Sequence, residues 1–296
     1  MTETISICIC TFRRSSLAST LESVAAQDLP VGVDLRVIVA DNDTTDRRRA
    51  EIQALAGNLA LELHYIHAPA CNISIARNAC LAKATTDWIA FIDDDEYAAP
   101  DWIKTLLTRR ADADIVFGVS QALYSDTGIA DWVAAADLHS NRIAGNDAPW
   151  NGYTANVLID RRLVARYDLS FAEELGQTGG EDTAFFLAAH TAGARFGYAP
   201  DAIVYEETPV ARANFAWLAR RRFRSGQIHF LLHGRGRRAI GFAAAGKAAM
   251  LAARALAQLA TPGRGRQSAL RGMLHAGVVA SALGFAPYRE YRPPSQ

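Results

Sequence analysis

Residues 88–96 read Trp88-Ile89-Ala90-Phe91-Ile92-Asp93-Asp94-Asp95-Glu96. Five apolar residues, aromatic and β-branched among them, run into four consecutive acids, and the apolar part has the length and composition of a buried strand. A carboxylate is costly to desolvate without a partner, and four side by side also repel one another. A single acid is enough to cap the helix whose start Pro100 marks. Four acids at a strand end match a site where a cation sits among them, and adjacent or alternate carboxylates suit an oxygen-preferring divalent ion, Mg²⁺ or Mn²⁺. Such an ion commonly completes its shell with phosphates.

Working outward, the same rhythm repeats. Residues 5–11 alternate as a strand, and Ser15 and Ser16 precede a helix with apolar positions at Leu17, Leu21, Val24 and Ala25. Residues 35–40 form a second strand ending in Asp41-Asn42-Asp43, a polar helix covers about 45–56, and residues 61–66 give a third strand. A helix over 74–84 contains Ala76-Arg77-Asn78. Strand and helix alternating through short connections predicts an α/β fold with a largely parallel, Rossmann-like sheet flanked by helices. Ligands in such sheets sit beyond the carboxyl ends of the strands. Thr11, Asp41 and the run from Asp93 to Asp95 all fall at such ends.

Beyond Pro100 the pattern predicts a helix to about residue 110, strands over 114–118, 153–160 and 202–206, and a helix over 183–192 opened by Glu181-Asp182 behind the glycines of 176–180. From residue 124 to 150 it loosens, with Gly128, Gly145, Asn146, Pro149 and Trp150, as binding loops do. These readings place a catalytic domain over 1–210, its halves meeting near residue 118, and a helical appendage over 211–296.

The zero net charge of the 296 residues hides a segregation. Residues 1–210 hold 16 Lys and Arg against 30 Asp and Glu; residues 211–296 hold 15 Lys and Arg against Glu290 alone. Arg220, Arg221, Arg222 and Arg224 share one predicted helix, and two apolar stretches follow at 239–259 and 272–286. Lys247 and Arg254 interrupt the first, and the second is short, which counts against membrane spans. Basic and apolar faces together fit helices lying in an anionic membrane interface from about Arg235 onward, the alternative being a bundle packed on the catalytic domain. Single-strand nucleic-acid readers interleave aromatic and basic residues; residues 235–275 carry only Phe242, so no nucleic-acid partner is expected. Cys8, Cys10, Cys71 and Cys80 show no metal-ligand spacing and read as free thiols of a reducing cytosol.

Taken in order, Cys10-Thr11-Phe12-Arg13-Arg14, Val39-Ala40-Asp41-Asn42, Ala76-Arg77-Asn78, Phe91-Ile92-Asp93-Asp94-Asp95 and Gly180-Glu181-Asp182 resemble the motifs of family 2 glycosyltransferases of the GT-A fold. The resemblance covers about residues 4–210. More loosely, residues 272–291 are similar to the tails of bacterial members that build exopolysaccharide repeat units on a lipid carrier. The resemblance implies an inverting enzyme moving one sugar from a nucleotide-sugar donor, a UDP-sugar, to a saccharide or lipid-linked saccharide acceptor. It would work in the cytoplasm, peripheral to the inner face of the cell membrane.

Residue by residue, the acidic run would be the family's Asp-x-Asp motif. Asp93 would face the ribose and Asp95 would bind the Mn²⁺ or Mg²⁺ that bridges the diphosphate, with Asp94 assisting; three aspartates in a row leave the register open by one. Asp41 would accept from the nucleobase, and Thr11, Arg13 and Arg77 would line the nucleotide. Asp182 would be the base that deprotonates the acceptor hydroxyl, with Glu181 the other candidate. The chain lacks the Gln-x-x-Arg-Trp motif of processive synthases, Arg221-Arg222-Phe223 being a partial echo, which points to transfer of single sugars. Two other readings compete. A nucleotidyltransferase calls for a glycine- and lysine-containing phosphate loop that Cys10 to Ser16 does not offer. A non-catalytic nucleotide- or nucleic-acid-binding module would rest on the basic tail.

Overall fold

The computed structural model describes residues 2–143, 152–233, 238–258, 260 and 262–288. Gly145, Asn146, Pro149 and Trp150, Arg235, and the end of the 272–291 stretch lie outside them. The first half is three strand–helix units: β1 (Glu3–Thr11), α1 (Leu17–Ala25), β2 (Val33–Asp41), α2 (Arg49–Asn58), β3 (Leu63–His67) and α3 (Ile73–Lys83). Then come β4 (Trp88–Ile92), β5 (Glu96–Ala98), α4 (Trp102–Leu107), β6 (Ile115–Leu123), α5 (Asp131–Ala136), β7 (Asn156–Asp160), α6 (Arg161–Tyr167), α7 (Glu181–Thr191) and β8 (Phe196–Glu207).

All eight strands join one sheet in the order β3-β2-β1-β4-β7-β6-β8-β5. β1, β2, β3 and β4 run parallel, as the sequence rhythm predicts, and β6 and β8 are parallel to each other. β7 is the reversed strand, antiparallel to both β4 and β6. It returns directly from the 124–155 excursion instead of through a covering helix, so nothing forces the parallel direction. β5 adds a short antiparallel pairing to β8, Glu96 opposite Glu206. The alternation of β1 decides which side each residue covers: Ile5, Ile7 and Ile9 enter the core under α1 and α4, while Cys8 enters the one under α3 and α7. Asn156 fixes β7 in place. Its amide donates to the carbonyls of Val119 and Ala202, and its carbonyl accepts from the Trp102 indole at 2.8 Å.

The appendage is three helices: α8 (Phe215–His233), α9 (Arg238–Ala257) and α10 (Pro262–Ala282). The first apolar stretch is α9 almost as read, the second belongs to a helix that starts ten residues earlier than the sequence suggests, and α10 packs on both α8 and α9. α8 and α10 meet at glycines from both sides: a Cβ on Gly226 would collide with the Leu274 carbonyl, and one on Gly277 with the Phe223 carbonyl. α8 also lies against the catalytic domain, where Ile228 occupies the space a Cβ on Gly180 would need. The bundle expectation thus holds for α8 and α10. α9 touches the rest only through one face; Phe242, 78% exposed, Met250 and Leu256 point away from it. By length and composition α9 could also cross a membrane, with residues 239–257 averaging a hydropathy of 1.3.

The α8–α10 crossing gives a direct test. Gly277→Ala should lower stability by about 1–3 kcal/mol through overpacking, read by urea denaturation. Gly246→Ala, on α9 with nothing within 4 Å of a new Cβ, should raise helix stability by up to about 1 kcal/mol. Equal effects at the two glycines would contradict the close crossing.

Candidate functional site

The acidic run is sorted by the strand end that carries it. Asp94 turns inward, accepting from the Thr11 hydroxyl at 2.7 Å and the Phe12 amide at 3.3 Å. Glu96 turns inward too, taking the Ser120 hydroxyl and the Asp93 amide. Asp93 and Asp95 are left facing outward, their side chains 45% and 22% exposed. Hydrogen bonding thus draws Asp94 and Glu96 inward and leaves the alternate acids on the open side. Arg14 reaches Asp95 at 3.2 Å, and Arg212, paired to Glu206 at 3.0 Å, approaches it at 3.9 Å.

Burial perturbs these acids strongly. Asp94 is pushed up to about 6 by desolvation, with the Thr11 hydrogen bond opposing. Asp93 is pushed up to about 7 by desolvation, with Asp95, Asp182 and Asp94 adding to it and Arg77 opposing.

Arg77 is the hinge between this cluster and a second one. It is carried into the sheet end by α3, whose N-cap Asn72 accepts from the Ser74 and Ile75 amides. Ala76 is fully buried, and Asn78 clamps the backbone of Phe171 through its side-chain amide at 2.9 Å and carbonyl at 2.8 Å. The Phe171 ring then lies 5.5 Å from the Arg77 guanidinium. The buried guanidinium donates at 2.6 Å to both Glu181 and Asp182 and sits 3.8 Å from Asp93. Its acid partners raise its pKa against burial. Thr154, just before β7, adds its hydroxyl to Asp182 at 3.0 Å.

Glu181 and Asp182 open α7 behind Gly179 and Gly180, at φ +85° and +94°. The glycines serve these left-handed turns and, at Gly180, the approach of Ile228. Glu181 is buried and raised above the usual carboxylate range by desolvation and Asp182, with Arg77 opposing; its Oε2 has no hydrogen-bond partner among the described residues.

Next to this, Asp41 is fully buried, accepting from the Tyr65 hydroxyl at 2.8 Å and the Asp43 amide at 3.0 Å. Arg13, in a left-handed conformation at φ +57°, forms a two-pronged pair with Asp43 at 2.7 and 2.9 Å. The expected residues therefore fall into four groups: Asp93, Arg77, Glu181 and Asp182 in one contact chain, Thr11 with Asp94, Arg13 near Asp41, and Asp95 apart from these with Arg14. Sequence reasoning did not single out Asp43, Arg14, Thr154 and Arg212. Asp43 and Arg14 stand inside quoted motifs; for Thr154 and Arg212 no local signal marks the contact.

Among the described residues no group of three or more His, Cys, Asp or Glu side chains is arranged to hold a metal. The donor set nonetheless fits a hard divalent ion: Asp93 and Asp95 are two outward carboxylates, the oxygen ligands such an ion takes.

The family model for glycosyl transferase family 2 matches residues 6–157. The succinoglycan biosynthesis protein ExoM of Rhizobium meliloti (strain 1021) is 41% identical over 97% of this chain and 95% of its own. Among solved structures, the mannosyltransferase PcManGT of Pyrobaculum calidifontis in complex with GDP-Man and Mn²⁺ superposes with a TM-score of 0.63 at 20% identity, covering 94% of this chain and 87% of that one. Residues 1–349 of TarS from S. aureus with UDP-GlcNAc give 0.55 at 15% identity, over 96% and 93%. These two likenesses speak to the fold, and they agree with the GT-A architecture that the motif order implies.

The Arg13–Asp43 pair predicts a specific acid response. Arg13 holds the Asp43 carboxyl down to about 2 from an ordinary 3.8. A depressed folded pKa contributes stability that is present above about pH 4 and lost as pH falls toward 2. Arg13→Ala should therefore destabilise the protein most at neutral pH, the gap to the unaltered protein closing between pH 4 and 2 in urea titrations. A gap independent of pH would contradict this assignment.

Proposed function

The chain belongs to glycosyl transferase family 2, and on that premise we propose that it moves one sugar from a UDP-sugar to a lipid-linked saccharide, with inversion, in bacterial exopolysaccharide assembly. The family takes precedence over the nucleotidyltransferase and non-catalytic readings. The observation that supports the proposal most is the contact chain through Arg77, which links Asp93, one of the two outward acids, on one side to Glu181 and Asp182 on the other. One side suits a charged leaving group and the other a proton acceptor.

In this reading residues 1–118 bind the donor and 119–210 the acceptor. Asp93 faces the ribose, Asp95 holds Mn²⁺ or Mg²⁺, and Asp94 keeps the β1 and β4 ends together through Thr11. The bound cation supplies Lewis-acid stabilisation of the departing diphosphate. Arg77 adds positive charge near the same oxygens and fixes the base by its short bond to Asp182. Arg13 and Asp41 line the base and ribose end. Asp41 has no exposed surface here, so a nucleobase contact calls for its spare lone pairs or a shift of Tyr65. Between the candidate bases Asp182 is the more open, 18% against 9% for the Glu181 side chain. Asp182 takes the acceptor proton as the hydroxyl attacks opposite the diphosphate, which inverts the anomeric carbon. The exopolysaccharide context comes from the likeness to the succinoglycan protein, and the UDP donor from the sequence resemblance, with a UDP-GlcNAc-bound fold relative in keeping.

In this reading the tail holds the enzyme at an anionic membrane surface. Lys247 and Arg254 are exposed beside the outward Phe242, Met250 and Leu256 of α9. That face suits an anionic interface, each basic residue near the surface contributing about 1 kcal/mol.

Calorimetry and transfer assays test the site together. UDP should bind more tightly with Mn²⁺ than without, and Asp95→Ala should erase the difference. Asp182→Asn should bind UDP normally yet lose about 10²-fold or more in transfer of labelled sugar into lipid extracts of bacterial membranes. Metal-indifferent UDP binding, or an active Asp182→Asn together with an active Glu181→Gln, would sink the assignment.

For the tail, sedimentation with phosphatidylglycerol vesicles should fall steeply with salt and with Phe242→Ser/Met250→Ser. Release that takes detergent at every salt concentration would instead mean that α9 spans the bilayer.

A further inference from the structure

Arg13 and Arg14 are consecutive in the turn after β1, yet they answer to different acids. The left-handed backbone at Arg13 sends that side chain to Asp43, which is 1% exposed. Arg14 turns the other way, its guanidinium 3.2 Å from Oδ2 of Asp95, while its carbonyl accepts from Arg48. Arg212 comes to the same oxygen from the far end of the catalytic domain. Its Nη1 lies 3.9 Å from Asp95 Oδ2 and 3.0 Å from Glu206 Oε1. The turn that presents Arg212 is well anchored. Its amide donates to the Pro209 carbonyl at 2.8 Å, and its carbonyl accepts from Nε2 of the buried His139, which stacks on Trp217.

Two cations and two acids thus make a neutral set around one carboxylate oxygen. The set lies at the surface, with side chains 44% exposed at Arg14, 32% at Arg212 and 22% at Asp95. Ion pairs this open are weak, so their members can change partners at little cost. Asp95 is also the acid that the donor site assigns to a divalent ion. A doubly charged cation on that carboxylate repels both guanidinium groups. They then need a new anion, and planar guanidinium forks match phosphate oxygens two at a time. The donor brings such an anion to the same place, since its diphosphate shares the cation with Asp95.

We propose that Arg14 and Arg212 are ligands of the donor diphosphate that hold Asp95 in the nucleotide-free enzyme and exchange it for the diphosphate when the cation binds. This rests on the reading of Asp95 as the cation's ligand. The exchange makes the two binding events depend on each other. Without nucleotide the arginines oppose a lone cation; with nucleotide the same two residues reinforce it.

Opposite signs in two titrations test this with the full chain. Arg14→Gln/Arg212→Gln should bind Mn²⁺ alone at least three-fold more tightly than the unaltered protein, followed by electron paramagnetic resonance of free Mn²⁺. The same variant should bind UDP in saturating Mn²⁺ at least ten-fold more weakly by calorimetry, while uridine, which has no diphosphate, stays within two-fold. A merely structural role would weaken Mn²⁺, UDP and uridine together, and that result would overturn the proposal. Unchanged affinities, or loss of UDP without gain of Mn²⁺, would overturn it too. Should the double variant fail to fold, Arg14→Gln alone removes one exposed partner of Asp95 and should give both shifts at smaller size; their absence overturns the proposal equally. If the unaltered chain binds UDP alike with and without Mn²⁺, the reading of Asp95 fails and the exchange falls with it. If that dependence is present and the variants lack the opposed shifts, the exchange alone fails.

Discussion

The structure depends on one buried cation. The Arg77 guanidinium is held inside the sheet end with Glu181, Asp182 and Asp93 around it. Removing one partner of such a buried pair is costly, of the order of 3–5 kcal/mol, because the charges left behind have no water. Arg77 therefore ties α3, β4 and the start of α7 into one geometry. Asn78 and Phe171 hold the arginine itself from the other side. The same arrangement leaves acids on both sides of a cleft without neutralising all of them, since one guanidinium serves three carboxylates.

That imbalance is what a site for a charged substrate calls for. A fully compensated cluster would be stable and inert; here Glu181 keeps an oxygen without a partner among the described residues, and Asp93 stays open. The compensation that is present sits where it orders the scaffold: Thr11 on Asp94, Ser120 on Glu96, Arg13 on Asp43. Acids turned into the protein are hydrogen-bonded and acids turned outward meet arginines, so one run of four residues both anchors strand ends and faces a ligand.

Much of this was legible in the sequence because strand ends and local periodicity carry it. The parallel units, the convergence of Thr11, Asp41 and the aspartates, and the placing of Glu181-Asp182 at a helix start all follow from patterns a few residues long. What stayed hidden depends on distant partners. The reversal of β7 is decided by Asn156 bonding to Val119 and Ala202, which no window around residue 156 reveals. β5 is three residues long, concealed between the acids and Pro100. Arg212 lies two residues past the expected end of the catalytic domain, yet reaches toward Asp95. The choice between alternate aspartates was unreadable because it is made by Thr11, a strand away.

The tail shows how one segment answers to two environments. Composition alone sets a bundle against a membrane surface, as if the helices had to choose. The glycines at 226 and 277 let α8 and α10 approach backbone to backbone, so their packing needs little apolar surface from α9. α9 is then attached along one narrow face and keeps its large apolar side chains outside. A helix built only to complete a soluble bundle would turn Phe242 and Met250 inward, where burying each is worth roughly 1.5–3 kcal/mol. Leaving them out gives up that stability, and in the proposed membrane setting it is the lipid that recovers it. Since α8 at the same time covers Gly180 at the entrance to α7, and α10 packs on both α8 and α9, the seat of α9 is coupled through α10 to the packing beside Asp182.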